Sequence, residues 1–132
     1  MARSYRDLLV WQKARSFAVK VYTETESFPR SELFGLTSQI RRAAVSVASN
    51  IAEGQGRLTS GEFRHFLGQA RGSLLELETQ LSIACDLGYL APPTLAELEQ
   101  AAYQILGLLN RLIDSLSRPG LAVTSKPTAL KL

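Results

Sequence analysis

Apolar residues recur at intervals of three and four along most of the chain, and proline and glycine divide that pattern into four helical segments. The first is expected from about Tyr5 to Glu26, with Val10, Ala14, Phe17 and Val21 on one face. Ser4 and Asp7 form a candidate capping box at its start. Phe28-Pro29 ends it, because the residue before a proline is pushed out of the helical region. The second follows the connector 29–35 and stops near Gly54, with Leu36, Ile40, Ala44, Val47 and Ile51 facing inward. Its GQG ending tolerates left-handed backbone. The third begins at Thr59 with Glu62 as capping partner. It carries the seam Phe63, Leu67, Ala70, Leu74, Leu77, Leu81, Ala84, and Gly88 follows as its C-terminal cap. The fourth begins at Thr94 with Glu97, repeats the seam through Leu95, Leu98, Ala102, Ile105, Leu109, Leu112 and Leu116, and stops at Pro119-Gly120.

Two heptad seams, three short connectors and no strand-like alternation predict an all-α, antiparallel, up-down-up-down four-helix bundle over residues 1–118. Residues 119–132 lack a period long enough to fold alone and are expected to form a mobile tail.

The second segment carries another stripe beside its apolar one: Gln39, Arg42, Ser46, Ser49 or Asn50, and Glu53. Serine and asparagine among alanines suit close packing on more than one side. Arg42, Asn50 and Glu53 are expected to join Arg71 and Glu76 of the third helix in a buried network that sets register, since buried polar groups mostly satisfy one another. A binding notch is the alternative reading. Apolar residues also lie beside the seams: Leu106, Leu108 and Ile113 on the fourth helix, and Leu8, Leu9, Trp11 and Tyr22 on the first. Leaving several such residues exposed is costly, so Leu8, Trp11, Tyr22, Leu106, Leu108 and Ile113 are candidates for an interface between identical copies.

Composition adds a few exclusions. The lone Cys85 rules out an internal disulfide framework and suits a reducing compartment. The amino terminus lacks a signal-peptide pattern, and no apolar run reaches the roughly 20 residues of a membrane span, so a cytoplasmic location is expected. The net charge of +3 is unevenly placed: residues 1–71 hold eleven basic and six acidic side chains, whereas residues 72–117 hold one basic and six acidic. Such asymmetry implies one basic and one acidic surface. Arg3, Arg6, Lys13, Arg15, Arg41, Arg57 and Arg64 are the candidates for phosphate contacts with RNA or DNA. The acidic third and fourth helices could instead receive a protein partner.

No enzyme, metal or cofactor is expected. His65 is the sole histidine, which leaves no multi-histidine metal site within one chain. Helical ribonucleases of the HEPN type place an arginine shortly before a histidine, but Leu58, Thr59 and Ser60 hold none. Cys85 lies some twenty residues, about 30 Å of helix, beyond His65, too far for a nucleophile pair.

Several segments carry a family resemblance: DLLVWQKA at 7–14, Phe28-Pro29, LTSQIRRAAVSVASNIAEGQGR at 36–57 and ARGSLLELETQL at 70–81. Over about residues 5–90 the chain resembles the four-helix-bundle proteins encoded in intervening sequences of bacterial 23S ribosomal RNA genes. That resemblance implies a small homo-oligomer, typically a pentamer, without enzymatic activity. The related accessory variability determinants of diversity-generating retroelements imply contacts with nucleic acid and a reverse transcriptase.

Overall fold

The computed structural model describes residues 4–117, which hold four α-helices and no strand. They are α1 (Leu9–Glu24), α2 (Leu36–Gln55), α3 (Ser60–Asp86) and α4 (Pro92–Ser117), with single 3-10 turns at Tyr5–Asp7 and Arg30–Glu32. Arg3 and the expected tail at 119–132 lie outside the described residues.

Helix starts differ from the sequence expectation at two places. The Ser4 hydroxyl accepts the Arg6 N–H at 3.1 Å, so it caps the 3-10 turn rather than an α-helix. Leu8 is extended (φ −80°, ψ 123°), which delays α1 to Leu9. The Gln12 side chain then donates to the Arg6 carbonyl at 2.7 Å and holds the turn against the helix. In α4 the first residue is Pro92, so Thr94 is already helical and the Thr94–Glu97 box does not start it. Proline suits that first position, because its ring presets φ and the missing N–H has no helical partner there.

Other boundaries match. The Thr59 hydroxyl accepts the Glu62 N–H at 3.1 Å and caps α3. Gly88 takes φ 82°, where its N–H donates to Cys85 O at 3.0 Å and the Tyr89 N–H donates to Ala84 O at 2.9 Å. This pair of bonds satisfies the last carbonyls of α3. Gly54 and Gly56 do not use the left-handed geometry expected of them. Gly56 caps α2 at φ −81°, and Gly54 is buried inside the helix. A Cβ on Gly54 would come within 2.8 Å of Phe66 Cβ and 3.0 Å of Phe63 Cδ1, so its bare backbone lets α2 and α3 approach closely.

The core follows the seams. Val10, Ala14, Phe17 and Val21 of α1 meet Ile40, Ala44, Val47 and Ile51 of α2, with Leu67 to Ala84 of α3 and Leu98 to Leu109 of α4 completing it. Each buried Leu or Ile stabilises the fold by about 1.5–3 kcal/mol relative to exposure. Consecutive helices pack together, α2 with α3 most extensively, and α1 also packs on α4. This order places the α1/α2 flank and the α3/α4 flank on opposite sides of the bundle.

Candidate interaction surface

The outer side of α1 and α2 forms an open, mainly apolar groove of about 650 Å³. Helical spacing brings Trp11, Ala18, Val19 and Tyr22 of α1 beside Val45, Ala48, Ser49 and Ala52 of α2, with Tyr5 at one end. Small residues line its middle, and aromatic rings stand along its edge. Val19 is 63% exposed, so the groove faces water rather than the core. A second apolar depression continues from Tyr22 and Val45 to Leu33 and Phe34, and the Phe34 ring is 93% exposed.

Cations decorate the aromatic edge. The Tyr5 ring meets Trp11 edge-on at 4.9 Å, and the Arg15 guanidinium lies 5.7 Å from the Trp11 ring centre. Arg41 sits 4.7 Å from the Tyr22 ring and donates to Thr25 Oγ1 at 2.9 Å and to Tyr22 O at 3.2 Å. Arg41 thereby ties α2 to the end of α1, so part of its capacity is structural.

Of the other basic candidates, Arg6, Lys13, Arg15 and Arg64 are exposed. Arg57 pairs with Glu53 at 2.8 Å and lies over the Phe66 ring at 4.6 Å. Lys13 stands toward α4, beside Gln104, away from the groove. Of the six described candidates, Arg6 over the Tyr5 ring at 5.3 Å, Arg15, Arg41 and the Glu53-paired Arg57 border the groove, while Lys13 faces α4 and Arg64 is not among the lining residues.

The five residues expected to form one network separate into different pairs. Asn50 Nδ2 donates to Ser46 O and Ser46 Oγ, both at 2.9 Å, and Ser46 Oγ meets Ser73 Oγ at 2.9 Å. Glu53 pairs with Arg57, Arg71 donates to Asn110 Oδ1 at 2.8 Å, and Glu76 accepts from Gln80 at 3.1 Å. Arg42 is exposed at a polar notch of about 410 Å³ shared with Gln39, Ser46, Ser73 and Glu76. Glu76 is exposed rather than held at the seam, because Leu77 alone turns inward at that level. Ser73 is the partner that sequence reasoning missed. It sits one position before the seam residue Leu74, on the flank that meets α2.

The interface candidates also divide. Tyr22 is exposed and Trp11 half-buried, both in the groove. Leu8, Leu106 and Leu108 are half-buried against the core. Ile113 is only 6% exposed and belongs to the core, so it is not a surface residue. The wide apolar arc of α4 is consumed mostly by its own bundle, as arcs using an extra heptad position commonly are. Val19, Val45, Ala48 and Ala52 were missed. Their signal was apolar spacing on the flanks of two consecutive helices.

His65 is exposed with its ring edge-on to Phe66, and Cys85 is half-buried further along α3. Among the described residues no helix is long and apolar enough to cross a membrane, and no His/Cys/Asp/Glu cluster has the arrangement of a metal site. The family model described as 23S rRNA-intervening sequence protein matches residues 6–111, further into α4 than the quoted motifs reach. No curated protein matches the chain.

Proposed function

This chain belongs to the 23S rRNA-intervening sequence protein family, and from that premise we propose that it is a non-catalytic scaffold that assembles with copies of itself and presents repeated positive charge to RNA or DNA. The assembly in this reading is a pentameric ring of up-down-up-down bundles. It works in the cytoplasm, where the Cys85 thiol stays reduced.

The groove between α1 and α2 carries the reading. An apolar depression of about 650 Å³ edged by Trp11 and Tyr22 is costly to leave in water. Its alanine and serine lining allows a helix to approach closely, as in helix-in-groove recognition. Two contacts support helices that alternate in direction: Gly54 near the end of α2 lies against Phe63 and Phe66 near the start of α3, and Ser46 meets Ser73 midway.

The nucleic-acid part rests on exposed Arg6, Lys13, Arg15 and Arg64, each multiplied by the number of copies in a ring. Phosphate contacts of this kind position a strand without reading its sequence.

Light scattering over a concentration series tests the assembly. A mass that stays that of one chain at every concentration defeats it. Fluorescence anisotropy with labelled RNA and DNA, repeated at rising salt, tests the second part. Binding should weaken steeply with salt and fall in the Arg6→Ala/Lys13→Ala/Arg15→Ala variant. An affinity that is flat in salt removes nucleic acid from the reading.

A further inference from the structure

We propose that the face where α1 meets α4 binds single-stranded RNA or DNA, with a base stacked on Tyr103 and phosphates on Lys13 and Arg111. This rests on the nucleic-acid reading and names the form of strand and the site for it.

Spacing along α4 builds the face. Gln100, Tyr103, Gln104, Gly107 and Arg111 recur at helical intervals and share one stripe, which lies beside Lys13 of α1. Two open depressions of about 370 and 740 Å³ have Leu9, Lys13 and Gln104 in common, so they run together along the helix pair. From Gln100 to Arg111 the stripe covers about 16 Å of helix axis.

This face is positive although residues 72–117 as a whole are acidic. Their one basic side chain, Arg111, is here, and Lys13 and Lys20 line the same depressions from α1. Among the described residues no Asp or Glu lines either depression. The carboxylates at its margins are already engaged. Glu24 and Glu97 hold Lys20 at 3.3 and 3.7 Å at one end, Glu99 acts on Glu78 of α3, and Asp7 and Asp114 are not free. Lys13 and Arg111 have no ion-pair partner among the described residues. Arg71 of α3, bonded to the lining residue Asn110 at 2.8 Å, adds a cation near Arg111.

The ring is what separates a single strand from other anions. Tyr103 is 71% exposed. Side chains on a helix lean toward its start, so one at position 107 would lie over Tyr103. Gly107 leaves that space open, and a Cβ added there would meet nothing within 4 Å. A bare ring between cations is a stacking platform that any base can use. A duplex keeps its base faces inside the stack and cannot use it. An acidic peptide would answer the cations and leave the ring idle.

Fluorescence anisotropy with labelled oligo-U and oligo-dT of about twelve nucleotides, and with duplexes of equal length, tests the proposal. Either strand should bind ahead of its duplex. Tyr103→Ala should weaken strand binding about five-fold or more, and Tyr103→Phe should restore it. Arg111→Gln should lower the salt slope by about 0.7 for the lost contact. Gly107→Leu fills the space beside the ring and should weaken binding while circular dichroism shows the helices intact.

Tyr103→Ala binding strands like the unaltered chain, Tyr103→Phe failing as alanine does, or duplex binding as tightly as single strand overturns the stacking site. So does displacement of the strand by polyglutamate of equal charge. Each of these leaves nucleic-acid binding through other cations intact. An unaltered chain that binds neither strands nor duplexes removes the nucleic-acid reading itself.

Discussion

The Tyr89 hydroxyl donates to Glu32 Oε2 at 3.0 Å, joining the α3–α4 connection to the α1–α2 connector 57 positions earlier. The other carboxylate oxygen, Glu32 Oε1, accepts the Leu36 N–H at 3.1 Å and caps α2. The Tyr89 ring also packs on buried Phe28, with centres 5.6 Å apart. One carboxylate therefore closes a helix start and holds two connectors together. Gly35 makes room for it, since a Cβ there would stand 2.9 Å from Glu32 Oε1.

This bond sets a pH dependence. The hydrogen bond to Glu32, then desolvation and the Glu32 charge, raise the Tyr89 pKa above its ordinary 10.0. A folded pKa above the unfolded one means the contribution is complete below pH 10 and is lost as pH rises through the folded value. Thermal melts should show Tyr89→Phe less stable than the unaltered chain at pH 8, with the gap closing above pH 10. A gap that persists unchanged at high pH contradicts the bond. Glu32→Ala, which also removes the α2 cap, should cost about 0.5–2 kcal/mol.

Glycines on different faces should respond in opposite directions. Gly54→Ala forces a methyl into Phe63 and Phe66 and should destabilise the fold by about 1–3 kcal/mol in urea unfolding. Gly68→Ala in α3 meets open space and should stabilise it by about 0.5–1 kcal/mol. Equal effects at the two sites would contradict the close α2–α3 approach.

At neutral pH Glu78 lowers stability, because desolvation and Glu99 both favour its protonated form. The sign follows from a raised pKa: the protonated form's contribution is present below the ordinary value of 4.5 and lost as pH rises through the folded value. Glu78→Gln should therefore melt higher than the unaltered chain at pH 7, measured at dilution where copies are separate, and match it below pH 4.5. A lower melting temperature at pH 7 would point to a cationic partner for Glu78.

The exposed Glu76 and the part-buried Ser46 should also rank in a set order. Glu76→Ala removes the one part-buried bond to the amide of buried Gln80 and should cost about 0.5–1 kcal/mol. Ser46→Ala removes the partner of Ser73 Oγ and one of the two bonds of Asn50 Nδ2, which keeps the Ser46 carbonyl, and should cost about 1–2 kcal/mol. A double-mutant cycle of Ser46 with Ser73 should show coupling. Independent effects would dissolve the α2–α3 link.

The amino-acid sequence by itself determined the four helices, their inward faces, the Thr59 cap, the Gly88 turn and the family motifs. Each of these depends on residues within one or two turns of one another, where spacing and backbone preference suffice. Only the tertiary structure decided which flanks stay open. Ile113 and Tyr22 both read as apolar residues beside a seam, yet one is core and the other lines the groove, because a neighbouring helix covers the first and not the second. The polar partners were decided in the same way. Arg71 finds Asn110 across α3 and α4, and Ser46 finds Ser73 across α2 and α3, a pair brought close at Gly54. Periodicity along one helix states which way a side chain points, and packing between helices settles what it meets there.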